Sequence, residues 1–529
     1  MTKTNEISRR DFIKLMGMGA GTLTLSACGL IPPASRFAAP TTAPVILTPL
    51  ASVPVSLAVD LTAGRATLPI FSGAETSILR YQPSVREGSA ESIQVLSNSY
   101  LGPIFRVKKG QRIQVRLKNE LPDPTIIHWH GLLIPEEMDG HPRYAIAPGA
   151  SYDYDFQVIN RAGMYWFHPH PHGLTGPQVY YGLAGLFIVS DDEEAALGLP
   201  AGEYDLPLVI QDRAFDSQNQ MVYNGMMDSM IGFLGDTILV NGAPNAAMDV
   251  KASAYRLRLL NGSNSRIYKL AWQDGTPLTV IATDGGLLEA PVTRDYITLA
   301  PGERVELWAN FSGRIGGEMR LVSLPFSGFS GGGMMGGGSN LSNGTSFDIL
   351  SLKVGEKGAD VLPLPTRLST IARYRVEEAV NQNNPRSFAL AMQGMIHTIN
   401  DRVFEMDAVA RDEIVRLGDL EIWEFANLEG GGSGGGMMTM DMEMPHPMHI
   451  HGVQFQVLSR QLTRGNESVY QDLSAGFVDD GWKDTVLVMP GEKVQVLVRF
   501  ENYAGTFVYH CHNLEHGDAG MMRNFKIES

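Results

Sequence analysis

The chain has 529 residues, 44% hydrophobic and 19% charged, an ordinary globular composition that excludes wholesale disorder and a collagen-like repeat. Against 57 acidic side chains stand 42 basic ones, for a formal net charge of −15, so the basic footprint of a nucleic-acid binder is absent and no such partner is expected. Two cysteines, Cys28 and Cys511, exclude a disulfide scaffold.

The first element in chain order is an address. Ser8-Arg9-Arg10-Asp11-Phe12-Ile13-Lys14 is a twin-arginine run, and a weakly apolar stretch follows from Leu15 to Ala27. That stretch is too short to span a bilayer and reads as a signal segment. The run resembles the signal that exports folded proteins across the bacterial cytoplasmic membrane. Leu25-Ser26-Ala27-Cys28 resembles a lipobox, which implies a lipid anchor on Cys28. A Pro-, Ala- and Thr-rich tether runs from Pro32 to Pro49. Residues 1–27 are thus expected to be a signal peptide and 28–50 a tether. The expected location is the periplasm or the outer face of the cytoplasmic membrane.

Beyond the tether most of the chain alternates apolar and polar residues, as in Tyr152 to Phe156, Val305 to Trp308 and Val494 to Val498. Short runs of this kind between Gly, Pro, Asn and Asp predict β-sandwiches. Two features recur once per third of the chain. One is a Pro-Gly turn feeding a strand, at Pro148-Gly149, Pro301-Gly302 and Pro490-Gly491. The other is a strand ending in Asn, at Val115 to Asn119, Arg256 to Asn261 and Glu424 to Asn427. Three sandwich domains are predicted, at residues 51–192, 200–356 and 385–529, with a linker from Pro363 to Asn384. Two Gly-rich stretches predict mobile loops. Ser327 to Gly344 contains Met334 and Met335; Gly430 to Met444 contains Met437, Met438, Met440, Met442 and Met444.

The 13 histidines are segregated: His128 to His172 and His446 to His516 hold all but His397. The middle third lacks them and reads as a spacer. Four His-x-His pairs stand at His128/His130, His168/His170, His449/His451 and His510/His512. Residues two apart on a strand point to one face, roughly 6–7 Å apart, so each pair can reach one compact centre. Converging neutral imidazoles suit copper or zinc. Cys511, between the last pair, must point the other way. It can bind a second ion while staying covalently next to ligands of the first. With His446, His516 and Met521 it has the donor set of a blue-copper site.

Taken together, His128-Trp129-His130-Gly131, Trp166-Phe167-His168-Pro169-His170, His446-Pro447-Met448-His449-Ile450-His451-Gly452 and His510-Cys511-His512-Asn513-Leu514-Glu515-His516 resemble the multicopper oxidases, the family of laccases and bacterial cuprous oxidases. The resemblance implies an all-β chain of three cupredoxin-like Greek-key β-sandwich domains and four copper ions. By position it implies that His446, Cys511, His516 and Met521 hold a type 1 copper, and that His128 and His449 hold a type 2 copper. His130, His168, His170, His451, His510 and His512 would hold a type 3 pair. Asp139 matches an acidic position that assists proton delivery to oxygen in bacterial members. Those members often carry Glu-Asp directly after the last histidine; here Gly517-Asp518 stand there, which leaves Asp518 or water as the relay. His141, His172 and His397 fall outside the motifs and are expected at surface or hydrogen-bonded positions.

A structural zinc site closes with four ligands, far fewer than this set of twelve. The expected activity is a copper-dependent oxidase, acting as a monomer. It would take electrons singly from a small reductant at the type 1 copper, through whichever of His446 and His516 exposes its edge, and reduce O2 to water. Phenols and aryl amines form one substrate class. Cu(I) forms the alternative, since thioethers select it and the Met437–Met444 run ends beside His446. Bilirubin and Mn(II) stay open, and copper storage is a distant third reading.

Overall fold

The computed structural model describes residues 50–223, 231–327, 341–393, 396–428, 444–463 and 467–529. The twin-arginine run, Cys28 and the tether as far as residue 49 lie outside the described residues. So do 328–340 and 429–443, which hold most of the two Met- and Gly-rich stretches. Among the described residues no helix is long and apolar enough to cross a membrane.

The described chain is all-β, with six sheets in three successive pairs. In the first pair, a sheet ordered Thr76–Glu87, Val55–Leu68, Arg112–Asn119, Ser151–Gln157 shares one core with a sheet ordered Ile93–Gln94, Ile104–Lys108, Gly185–Ser190, Gly163–Pro169, Ile127–His128. Leu57, Val115 and Phe156 from one sheet meet Phe105, Phe167 and Phe187 from the other. A seven-stranded and a five-stranded sheet form the middle sandwich around Leu257, Leu270, Leu307 and Leu352. Two five-stranded sheets form the third around Phe388, Trp423, Val496 and Phe525. The alternation seen in sequence is a solvent-facing pattern only at some edges. Arg304–Asn310 buries Arg304, Val305, Glu306 and Leu307 in turn, because Glu306 is paired with Arg256 and Arg258 under the sheet.

The two recurring sequence features prove to be one hydrogen-bonded unit. In each sandwich the strand ending in Asn runs parallel to the first strand of its sheet, as in Val59↔Val115, Leu208↔Leu259 and Phe388↔Phe425. The Asn carbonyl then accepts from the glycine of the Pro-Gly turn, at 2.8 Å for Gly149 to Asn119, 2.9 Å for Gly302 to Asn261 and 2.7 Å for Gly491 to Asn427. Each of those glycines has φ near +80° (81°, 84° and 75°), a conformation that costs a side-chain-bearing residue. The buried Asn amide donates onward to Asp123 and Ile146, to Arg266 and Leu299, and to Met444 and Val488. One side chain thus satisfies two loop carbonyls that burial would otherwise leave without partners.

Apolar side chains also cross between sandwiches. Met164, Trp166 and Leu186 pack with Val209, Leu239 and Leu260. Ile267 and Ala300 pack with Leu473, Leu487 and Met489. The histidine motifs lie where the first and third sandwiches meet, and the middle one backs onto them.

Candidate metal centre

Strand pairing brings the motifs together. His128 stands opposite His168 in the first sandwich, and His449 opposite His510 in the third. Cys511 faces Met448 across the strands and its side chain enters the apolar core of the third sandwich with Met521. His510 and His512 point the other way, as alternation requires.

The first centre gathers His446, Cys511 and His516. Cys511 Sγ lies 3.5 Å from His446 Nδ1 and 3.7 Å from His516 Nδ1, and the two Nδ1 atoms are 3.2 Å apart. Met521 is tied to two of these residues by its backbone: Cys511 N–H donates to its carbonyl at 3.0 Å, and its own N–H donates to the His516 carbonyl at 2.9 Å. Its side chain belongs to the core that holds Cys511, whereas Met522 packs with Phe404 and Val508. The Asn513 amide lies 3.1 Å from His516 Nε2.

The second centre is a cage of eight imidazoles in three groups. His128 and His449 face each other with Nε2 atoms 3.2 Å apart. His510 Nε2 lies 3.2 Å from His170 Nε2 and 3.1 Å from His451 Nε2. His130, His168 and His512 form the third group, with ring centroids 4.9 to 5.7 Å apart.

Hydrogen bonds outside the cage fix which nitrogen faces inward. The Nδ1 atoms of His128, His449, His168 and His510 meet the carbonyls of Asp139, Asp484, Pro169 and Cys511 at 2.7, 2.8, 3.0 and 3.0 Å. His451 Nδ1 meets Asp139 Oδ2 at 2.7 Å. A carbonyl can only accept, so each Nδ1 carries the proton and each Nε2 keeps its lone pair. His130 is reversed: its Nε2 lies 3.0 Å from Asp484 Oδ1, which leaves Nδ1 for the cage.

These residues fit a metal. His168 Nε2, His130 Nδ1 and both nitrogens of His512 are buried with no hydrogen-bond partner among the described residues. Buried lone pairs directed at one another call for a cation. Burial lowers the imidazole pKa values, His446 to about 3 and His510 to about 4, so the rings are neutral ligands at physiological pH. Burial pushes the Cys511 thiol up, so a metal must displace its proton on binding.

The carboxylates divide. Asp139 is fully buried and serves two rings, His128 through its carbonyl and His451 through its side chain. Asp518 instead accepts from the backbone N–H groups of Thr175 and Gly176 at 3.1 and 2.7 Å. Desolvation raises it to about 7. Glu515 accepts from Tyr223, Asn264 and Ser265, a buried carboxylate that spacing alone did not single out. Asp441 and Glu443, which precede His446 in the sequence, lie outside the described residues.

Three expectations change. Neither His446 nor His516 exposes an edge, at 0% and 1% accessibility. His397 is no bystander: it is fully buried and stacks on His516 with ring centroids 3.9 Å apart and planes 23° apart. Nor is the middle sandwich a spacer, since Asn264, Ser265, Gly302 and Arg304 all reach the site. A Cβ on Gly302 would stand 3.0 Å from the His512 ring. His141 is buried and hydrogen-bonded to Asn524, while His172 is exposed beside Phe404.

Two centres with donor sets that suit copper stand on the three sandwiches. Profiles described as multicopper oxidase match residues 79–194 and 374–529. A crystal structure of the McoA multicopper oxidase from the hyperthermophile Aquifex aeolicus superposes with a TM-score of 0.74 at 36% identity, covering 90% of this chain and 97% of that one. A laccase of Bacillus stratosphericus is 30% identical over 82% of this chain and 90% of its own length. The cell division protein FtsP of Sodalis glossinidius is 30% identical over 98% of both chains. The chain belongs to the multicopper oxidase family, which includes laccases and bilirubin oxidase, oxidoreductases that act with O2.

Proposed function

We propose that the chain is an exported oxidase that couples four one-electron oxidations, of phenols or aryl amines, to reduction of O2 to water. The observation that carries this reading is the Cys511 strand: its thiol meets His446 and His516 while His510 and His512 join the cage behind it. His446, Cys511, His516 and Met521 would hold a type 1 copper. His128 and His449 would hold a type 2 copper. His130, His168 and His512 would hold one type 3 ion, and His170, His451 and His510 the other. When bound, these coppers supply electron acceptance at the first centre and O2 reduction at the second. The peptide bonds from Cys511 to its two neighbours connect the two centres covalently. Asp139 holds His451 in its ligating tautomer and is placed to pass a proton. Asp518 and Glu515 hold two further buried carboxyls on the short helix that follows the Cys511 strand. A role as a copper-free scaffold is disfavoured because every ligand position is filled.

Cu(I) is the second substrate reading. Met444 packs with Met392 and Ile231 two residues before His446, so thioethers stand at the first centre's border and suit Cu(I). Deleting Met437–Met444 separates the two. Selective loss of Cu(I) oxidation identifies a cuprous oxidase; unchanged Cu(I) and phenol kinetics leave the run without a substrate role. Copper-loaded protein that consumes no O2 with any reductant would instead indicate storage. The twin-arginine run supports export, and Cys28 a lipid anchor.

A further inference from the structure

The histidine-free middle sandwich places one arginine at the wall of the cage. Arg304 follows the Pro301-Gly302 turn and is fully buried. An arginine side chain has five N–H donors, and all five find acceptors. Nε donates to the Met164 carbonyl at 3.2 Å, Nη1 to the Gly302 carbonyl at 3.1 Å and Nη2 to the Asp284 carbonyl at 2.9 Å. The remaining two form a fork on Asp484, Nη1 to Oδ1 and Nη2 to Oδ2, both at 2.6 Å. One guanidinium thus joins backbone of the first and middle sandwiches to a carboxylate of the third.

That carboxylate is the partner of His130. A bidentate fork fixes the carboxylate plane as well as its position. Oδ1 is thereby held 3.0 Å from His130 Nε2, while the Asp484 carbonyl takes His449 Nδ1 at 2.8 Å. Gly131, with φ of 85°, leaves room for the pair: a Cβ there would stand 2.4 Å from Asp484 Oδ2 and 2.8 Å from Arg304 Nη2. Asp284 supports the same loop, taking the Arg304 N–H at 2.8 Å and lying 3.2 Å from Lys483 Nζ.

We propose that Arg304 is a positioning residue for the copper cage: through Asp484 it holds His130 with Nδ1 inward, so the middle sandwich sets the geometry of the type 3 pair. The proposal rests on the copper reading above. It gives the middle sandwich a direct part in the oxidase rather than the separation of its neighbours.

The test compares full-length, copper-loaded Arg304→Lys and Arg304→Met with wild type and with Arg256→Met. Arg256 is an equally buried arginine of the middle sandwich, paired with Glu306 and Glu194 and in no contact with a histidine given above. Lysine keeps the charge but cannot form the fork, so the Lys variant carries the test if the Met variant does not fold. The expected result in the Arg304 variants is an unchanged type 1 absorption band, with type 3 copper lost or turned visible to electron paramagnetic resonance. O2 turnover should fall at least tenfold, with little change in KM for the reductant. Arg256→Met should lower stability and leave the copper spectra as in wild type. Folded Arg304→Lys with wild-type copper content and a silent type 3 pair would overturn the proposal. Wild-type protein that binds no copper would overturn the function itself.

Discussion

Cys511 places its sulfur in the core of the third sandwich while the rings on either side turn into the cage. Cys511→Ser should abolish the type 1 absorption band and leave turnover at least a hundredfold lower, with type 2 and type 3 copper retained. A variant that keeps the band would remove Cys511 from the first centre. Met521→Leu should raise the type 1 potential, because a thioether donates to the ion and a leucine does not; an unchanged or lower potential by redox titration would reject that ligand. His397 covers one face of His516, so His397→Ala should open the ring to solvent and small aromatic reductants. Its expected mark is a shifted type 1 potential with a higher kcat/KM for phenols, while His397→Phe, which keeps the stack, stays close to wild type. The clustering of the His-x-His pairs and of Cys511 with His446 and His516 was legible in sequence because each motif is local and alternation fixes its faces. Asp484, Arg304, Glu515 and His397 were not. Their partners lie far away in the chain, as with Arg304 and Met164 across 140 residues or Asp484 and His130 across 354, and no short pattern records such a contact.

At the scale of elements, the Asn and Pro-Gly repeat was visible in the sequence, but its physical content was not. Spacing gave two recurring marks; the fold shows that they bond to each other and that one amide secures two loops. Asn261→Ala should therefore cost about 1–3 kcal/mol, the usual range for leaving a buried polar group without its partner. Denaturant unfolding measures this, and a loss within error of zero would mean that water or a shifted backbone replaces the amide. The middle sandwich shows the limit of counting residue types. Its lack of histidine suggested a spacer, yet its Pro-Gly turn packs Gly302 on His512 and starts the strand that carries Arg304.

For the whole molecule, burying so many neutral imidazoles makes the copper-free chain sensitive to acid. Folding lowers His446 to about 3 and His510 to about 4 from the ordinary 6.5. The unfolded chain therefore binds more protons once pH drops below that ordinary value, and stability falls with pH until the folded-state values are reached. At pH of about 5 each such ring costs roughly 2 kcal/mol. Copper-free protein should thus have a lower Tm at about pH 5 than at neutral pH. A flat profile would mean that the cage opens without metal. Copper should bind the preformed cage more tightly than the dispersed ligands of the unfolded chain, so loading should raise Tm at neutral pH. The central claim is that two centres in one chain deliver four electrons to one O2. The direct measurement is O2 uptake against oxidised phenol in fully copper-loaded protein, with the reduced product identified. Four equivalents per O2 with water as product is the predicted result; hydrogen peroxide, or no O2 uptake at full copper occupancy, would contradict it.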